Sequence, residues 1–180
     1  MGAVVALDTL LDARAVWRGR AAPAPGSRQP TGHPALDAQL PQGGWPEHAL
    51  TEILHLADGV GELSLLLPTL VRLSQAQQRV LLIAPPYRVH APGWAHAGVA
   101  LPWLHVVAAT PREALWAAEQ SLRSGACAAV LCWPTHADDR ALRRLQVAAE
   151  TGQSLGFAFR DAKHARNPSP AAIRLQLDAD

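Results

Sequence analysis

The feature that most constrains this chain is a set of short segments that are apolar throughout, separated by helical patterns. RVLLIAPP (79–86), LHVVAA (104–109) and CAAVLCW (127–133) do not alternate apolar with polar residues. A strand that is apolar on both sides must be buried on both sides, and a parallel sheet covered by helices on each face provides that. ELSLLLPTLVRLSQAQQ (62–78), PREALWAAEQSLRSG (111–125) and DDRALRRLQVAAETG (138–152) read as the covering helices. The second of these has Pro early, Glu in its first turn and Gly at its end, and Asp138 and Asp139 read as an N-terminal cap for the third. Pro68 kinks the first of them or breaks it. ALTEILH (49–55), SLGFAFR (154–160) and AIRLQL (172–177) complete the strands, with short helices near 34–39 and 92–98. The order predicts an α/β fold with a mostly parallel sheet. The last strand alternates more and follows a non-helical connection, so it is expected to be an antiparallel edge strand.

The 180 residues suit one main body. Residues 1–20 read as a helical arm, 21–30 (AAPAPGSRQP) as a stiff linker, and 31–180 as the core. The arm carries an apolar stripe at Val4, Leu7, Leu11 and Ala15, which either packs on its own core or docks a partner. A net charge of +1 with 17% charged residues excludes wholesale coating of nucleic acid. No window of about 18 apolar residues exists, which excludes a membrane-spanning helix. The first residues lack a basic stretch before their apolar part, so no secretory signal is expected and the cytoplasm is the expected compartment. Cys127 and Cys132 stand at no metal-ligand spacing and read as buried thiols in a reducing compartment. The eight histidines form no HxxxH or HExxH pattern, so neither a metal nor another cofactor is expected.

One motif is incomplete. A strand, a glycine-containing turn and a helix near the front of a parallel sheet are where a phosphate-binding loop would sit. Here that stretch is HLADGVGELSLL (55–66), with Gly59 and Gly61 in the turn. Such a loop ends in Gly-Lys-Ser/Thr, but Glu62 and Leu63 follow Gly61. A carboxylate about 4 Å from a phosphate costs about 4 kcal/mol at an effective dielectric of about 20. Strands 79–84 and 127–133 end in Ala-Pro-Pro and Cys-Trp-Pro, with no acid for a magnesium ion. These departures predict a degenerate scaffold with no nucleotide hydrolysis and hence no enzyme activity.

The chain resembles the RecA-like family. The residues that carry this resemblance are Thr31, Gly32, Leu36, Asp37, Gly43, Gly44 and Glu52 in PTGHPALDAQLPQGGWPEHALTEIL. It implies that Glu62 stands at the Walker A lysine, Pro86 at the catalytic glutamate, Trp133 at the Walker B aspartate, and Arg160 near a γ-phosphate-sensing glutamine. Within that superfamily the chain resembles the ImuA family of bacterial mutagenesis cassettes, through WRGR (17–20), TGHPALDAQLPQGGWP (31–46), GELSLLLP (61–68), LLIAPP (81–86), ALWAAEQSLRSGACAAVLCW (114–133) and RALRRLQVAAE (140–150). That resemblance implies a non-catalytic adaptor in damage-induced translesion synthesis and mutagenesis. Its implied partners are ImuB and RecA, with the C-family error-prone polymerase beside them. The same core resembles the SulA family, which implies instead an inhibitor of cell division that binds FtsZ. The SulA pattern tends to lack the full TGHPALD…GGWP entrance, so the adaptor is the leading expectation.

Three surfaces are candidates for contact. Leu7, Leu10, Leu11 and Trp17 on the arm are the leading partner-binding residues, and the arm also offers a surface for self-association. Arg160, Lys163, His164 and Arg166 form a basic stretch suited to two or three phosphate contacts. No aromatic is interleaved there, so nucleic-acid contact is expected to be weak or absent. Arg140, Arg143 and Arg144 cluster on one helix face. Trp116 and Trp133 are expected in the core, and Trp94 and Trp103 are expected to fill the vacated nucleotide pocket.

Overall fold

The computed structural model describes residues 27–57, 59 and 61–178. The arm, with Leu7, Leu10, Leu11 and Trp17, lies outside the described residues. The elements are α1 (Pro34–Asp37), β1 (Leu50–His55), α2 (Glu62–Gln75), β2 (Val80–Ile83), α3 (Ala91–His96), β3 (Leu104–Val107), α4 (Pro111–Arg123), β4 (Ala129–Cys132), α5 (Asp139–Gly152), β5 (Leu155–Asp161) and β6 (Ile173–Leu177). Short 3-10 turns at Leu101–Trp103 and Ala162–Arg166 precede β3 and follow β5.

The six strands form one sheet in the order β3-β2-β4-β5-β1-β6. Each neighbouring pair is parallel, with Leu50 opposite Gly156 and Val80 opposite Ala129. The antiparallel edge expected at 172–177 is therefore corrected: β6 runs parallel to β1, with Thr51 opposite Ile173. The connection over 162–172 carries the chain back to the starting edge of the sheet, as a parallel crossover requires. Arg174 fixes that return. Its guanidinium donates to the carbonyls of His164, Ala165 and Asn167, which tie β6 to the 3-10 turn.

The two sheet faces are filled differently. On one, α2 packs Leu66, Leu70 and Leu73 over Ile53, Leu82, Leu131, Phe157 and Phe159, with Trp45 fully buried among them. On the other, α4 and α5 present Ala114, Ala118, Leu122, Ala141, Leu142, Leu145, Ala148 and Ala149 to Leu50, Ile83, Val130 and Ala158. Helix α2 continues through Pro68 without a break. The ring lies against Gly32, whose φ is +89° and where a Cβ would come 2.3 Å from the Pro68 Cβ. Only glycine fits that contact and that dihedral.

The entrance segment is a packing device. The Asp37 carboxylate accepts the Thr31 N–H at 2.9 Å. The Trp45 indole donates to the Thr69 hydroxyl at 2.8 Å, and Trp45 meets Phe157 edge-on with ring centroids 5.2 Å apart. Helix α4 is closed at its start by Glu113, whose carboxylate accepts the Thr110 N–H at 3.1 Å and the Thr110 hydroxyl at 2.7 Å. Helix α5 is capped by Asp138, which accepts the Ala141 N–H at 2.7 Å.

Candidate functional site at the carboxyl edge of the sheet

Helices leaving β1 and β2 pass on one face, and those leaving β3 and β4 pass on the other. In such sheets the crevice beyond the carboxyl ends of the strands is the usual place for a site. A cavity of about 430 Å³ lies there, lined by residues that include His55, Pro86, Trp133, Arg160, Lys163 and His164. The structure thus brings Pro86 and Trp133, read as part of a degenerate nucleotide site, beside Arg160, Lys163 and His164, read as a separate basic stretch.

The loop from β1 to α2 is closed on itself. Gly61 caps α2 with φ +97°, a conformation that favours glycine. The first helical residue, Glu62, is 1% exposed and folds back over the turn. The Gly59 N–H donates to both of its oxygens, at 3.0 and 3.1 Å, and the Tyr87 hydroxyl donates to one at 3.0 Å. Burial by itself pushes this carboxyl up. The backbone N–H groups of Gly59 and Glu62, the Tyr87 hydroxyl and nearby His55 more than offset that and hold it below the usual carboxylate range. The Gly59 N–H is thus taken by the chain's own carboxylate. Leu63, half-buried, supplies no oxygen at the next position.

Above the loop sits a group of rings. Trp133 stacks on Phe159 at 4.7 Å and 13°, Tyr87 meets Trp133 edge-on at 6.2 Å, and His55 lies 6.3 Å from Phe159. The pocket-filling expected of Trp94 and Trp103 is corrected accordingly. Trp94 lies against Leu63, Ser64 and Leu67 at a small separate cavity, and Trp103 lines a cavity with Gln29, Arg79 and Leu155 at the opposite edge of the sheet. Neither lines the crevice beyond the carboxyl ends of the strands, whereas Trp133, directly after β4, does.

Arg160 is not available to a nucleic acid. It is 4% exposed, paired with the fully buried Glu52, and donates to the Ala137 carbonyl at 2.8 Å. Arg174 donates to the other Glu52 oxygen at 2.7 Å. Burial raises the Glu52 carboxyl, but Arg174, Arg160 and Ser169 outweigh it and leave it below its ordinary value. Glu52 thus has a structural partner on each side, and the residue read as a phosphate sensor is half of a buried ion pair. Lys163 is exposed and 3.1 Å from Asp161, which already offsets its charge, and Arg166 is exposed. His164 is half-buried and held below its ordinary value by burial and by Arg160 and Lys163. The basic stretch is thus reduced to two exposed cations. Cys127 and Cys132 are buried free thiols, and burial pushes Cys132 up to about 12.

Trp116 is the other correction. Expected in the core, it is 66% exposed on α4. The buried positions there are Ala114, Ala118 and Leu122, one turn apart. At 100° per residue, Trp116 points about 200° from Ala114, so the spacing itself carried the signal.

The fold and site define a parallel α/β protein with helices on both faces and a glycine turn shut by its own glutamate. A family model described as "Cell division inhibitor SulA" matches residues 49–156, more than half of the chain, and the chain belongs to that family. Cell division inhibitor SulA of Pectobacterium atrosepticum is 32% identical over 115 residues, which is 62% of this chain and 67% of that protein. The crystal structure of SulA from Pseudomonas aeruginosa aligns with a TM-score of 0.52 and 29% identity, covering 61% of this chain and 96% of that one.

These matches overturn the leading expectation from sequence. An adaptor in translesion synthesis, with ImuB, RecA and the C-family polymerase as partners, is replaced by the division-inhibitor family. The segment that had favoured ImuA, residues 31–46, lies before the matched stretch. Its distinctive residues make the Thr31–Asp37 and Trp45–Thr69 contacts, which hold a fold rather than select a partner.

Proposed function

We propose that this chain is a SulA-type inhibitor of cell division that acts by binding FtsZ and catalyses no reaction. The observation that carries this reading is the family match across 49–156, which contains the whole Glu62-closed loop. A loop whose backbone donor is taken by an internal carboxylate has no place for a triphosphate. The fold is that of a RecA-like protein whose phosphate loop has degenerated, and a stable loop without ligand suits a protein that works as a stoichiometric plug. The site of action is the cytoplasm, where FtsZ assembles. Among the described residues no helix is long and apolar enough to cross a membrane, which is compatible with that.

Induced expression should make rod-shaped cells grow as filaments without septa. In vitro, the purified protein should suppress FtsZ polymerisation and GTPase activity only as its concentration approaches that of FtsZ. Normal division together with undisturbed FtsZ assembly at a molar excess would sink the reading. The Glu62 closure also predicts no ATP binding in an equilibrium titration.

A further inference from the structure

We propose that Trp116 and the arginines around it form a docking face for an acidic segment of the partner protein, one that places an apolar side chain against the indole between carboxylates. This rests on the reading of the chain as a binder of FtsZ and names the surface used. A ring that is 66% exposed gains nothing from water, and buried tryptophan and arginine side chains dominate the energetics of protein contacts. The platform beneath it is firm, because α4 is capped by Thr110 and Glu113 and pressed on the alanine-rich layer.

The charges around the ring indicate what it meets. Arg112 stands one turn before Trp116 on the same helix and is exposed. The Arg144 Nε lies 3.2 Å from a Glu119 oxygen, which joins α4 to α5, and Arg140 stands one turn before Arg144 on α5 and is exposed. The carboxylates here are already committed. Glu119 is shared by Arg123 at 2.9 Å and Arg144, Asp139 faces Arg143 at 3.6 Å, Asp138 caps α5, and Glu113 caps α4. Among the described residues, Arg112 and Arg140 have no carboxylate within salt-bridge distance. An exposed indole flanked by uncompensated guanidiniums is complementary to apolar side chains set among acids.

The test is binding of purified FtsZ to the immobilised full chain at low and high salt, comparing wild type with Trp116→Ala, Trp116→Phe and the double variant Arg112→Glu/Arg140→Glu. Gln176→Ala, which truncates an exposed side chain on the edge strand β6, serves as the control. Thermal melts confirm that each variant is folded. The expected result is a loss of affinity of about ten-fold or more for Trp116→Ala, partial recovery with Trp116→Phe, and a loss for the arginine variant that shrinks at high salt. Gln176→Ala should bind as wild type does. Wild-type binding that all the variants share would overturn the docking face and leave the division-inhibitor reading standing. Wild type that fails to bind FtsZ would overturn that reading and this one with it. A dimer in sedimentation that Trp116→Ala dissociates would overturn the proposal in favour of a second copy of the chain.

Discussion

The two faces of the sheet solve the same packing problem with opposite materials. Under α2 the space is filled by large rings and leucines, including Trp45, Phe157, Phe159 and Trp133. Under α4 and α5 it is filled largely by alanines, which lets the helices settle close to the strands and to each other. Beyond the start of α5 on that second face, the sheet buries the Glu52 carboxylate between Arg160 and Arg174 instead of apolar groups. The ring-filled face keeps Trp45 and Trp133 inside. The alanine-filled face has no room for one and carries Trp116 on its outer surface. A close-packed small-residue layer thus builds a firm platform and, as a consequence, puts large side chains where a partner can reach them.

The largest effects should come from removing what fills or neutralises a buried space. Trp45→Ala on the ring-filled face should cost about 3–5 kcal/mol in urea denaturation, from the cavity and the lost bond to Thr69. Glu52→Gln should cost a similar amount, about 3–5 kcal/mol, because it leaves a buried guanidinium unbalanced. The same residue gives a pH signature. Its carboxyl is held below the ordinary value in the folded chain, so its stabilisation is full above that value and disappears as acid protonates it. Wild type should therefore lose stability as pH falls below the ordinary carboxylate range, and Glu52→Gln should flatten part of that slope. A variant with the wild-type slope would show that Glu52 contributes little to it.

A middle-sized effect distinguishes the faces directly. Ala118→Leu, at a position with no exposure between α4 and the sheet, should destabilise by about 1–3 kcal/mol through overpacking. Leu70→Met on the ring-filled face nearly conserves volume and should cost less than about 1.5 kcal/mol in the same assay. Equal losses would mean that the alanine layer is no tighter than the other. The smallest effect is expected at Trp116→Ala, which should change stability by no more than about 0.5 kcal/mol. A larger loss would mean that the indole supports α4 rather than standing free of it.

Much of this architecture was legible before the structure. The all-apolar strands announced a parallel sheet, and the Pro–Glu–Gly and Asp signals marked α4 and α5 to within about two residues. That the glycine turn is followed by a carboxylate was legible at Glu62. The manner of its closure was not, because Tyr87 lies 25 residues away and only the fold brings its hydroxyl to that carboxylate.

Local physics therefore determined what each segment of this protein could become: buried strand, capped helix, or a glycine turn followed by an acid. Tertiary structure decided the rest. It set the parallel direction of β6, because a strand's direction follows from where its connection is pinned, here by Arg174. It made Arg160 half of an ion pair rather than a surface cation, because Glu52 is 108 residues away along the chain and directly alongside in space. Family membership also lay beyond the motifs that favoured ImuA, since residues 31–46 stand before the stretch that the family model matches and make packing contacts within the fold.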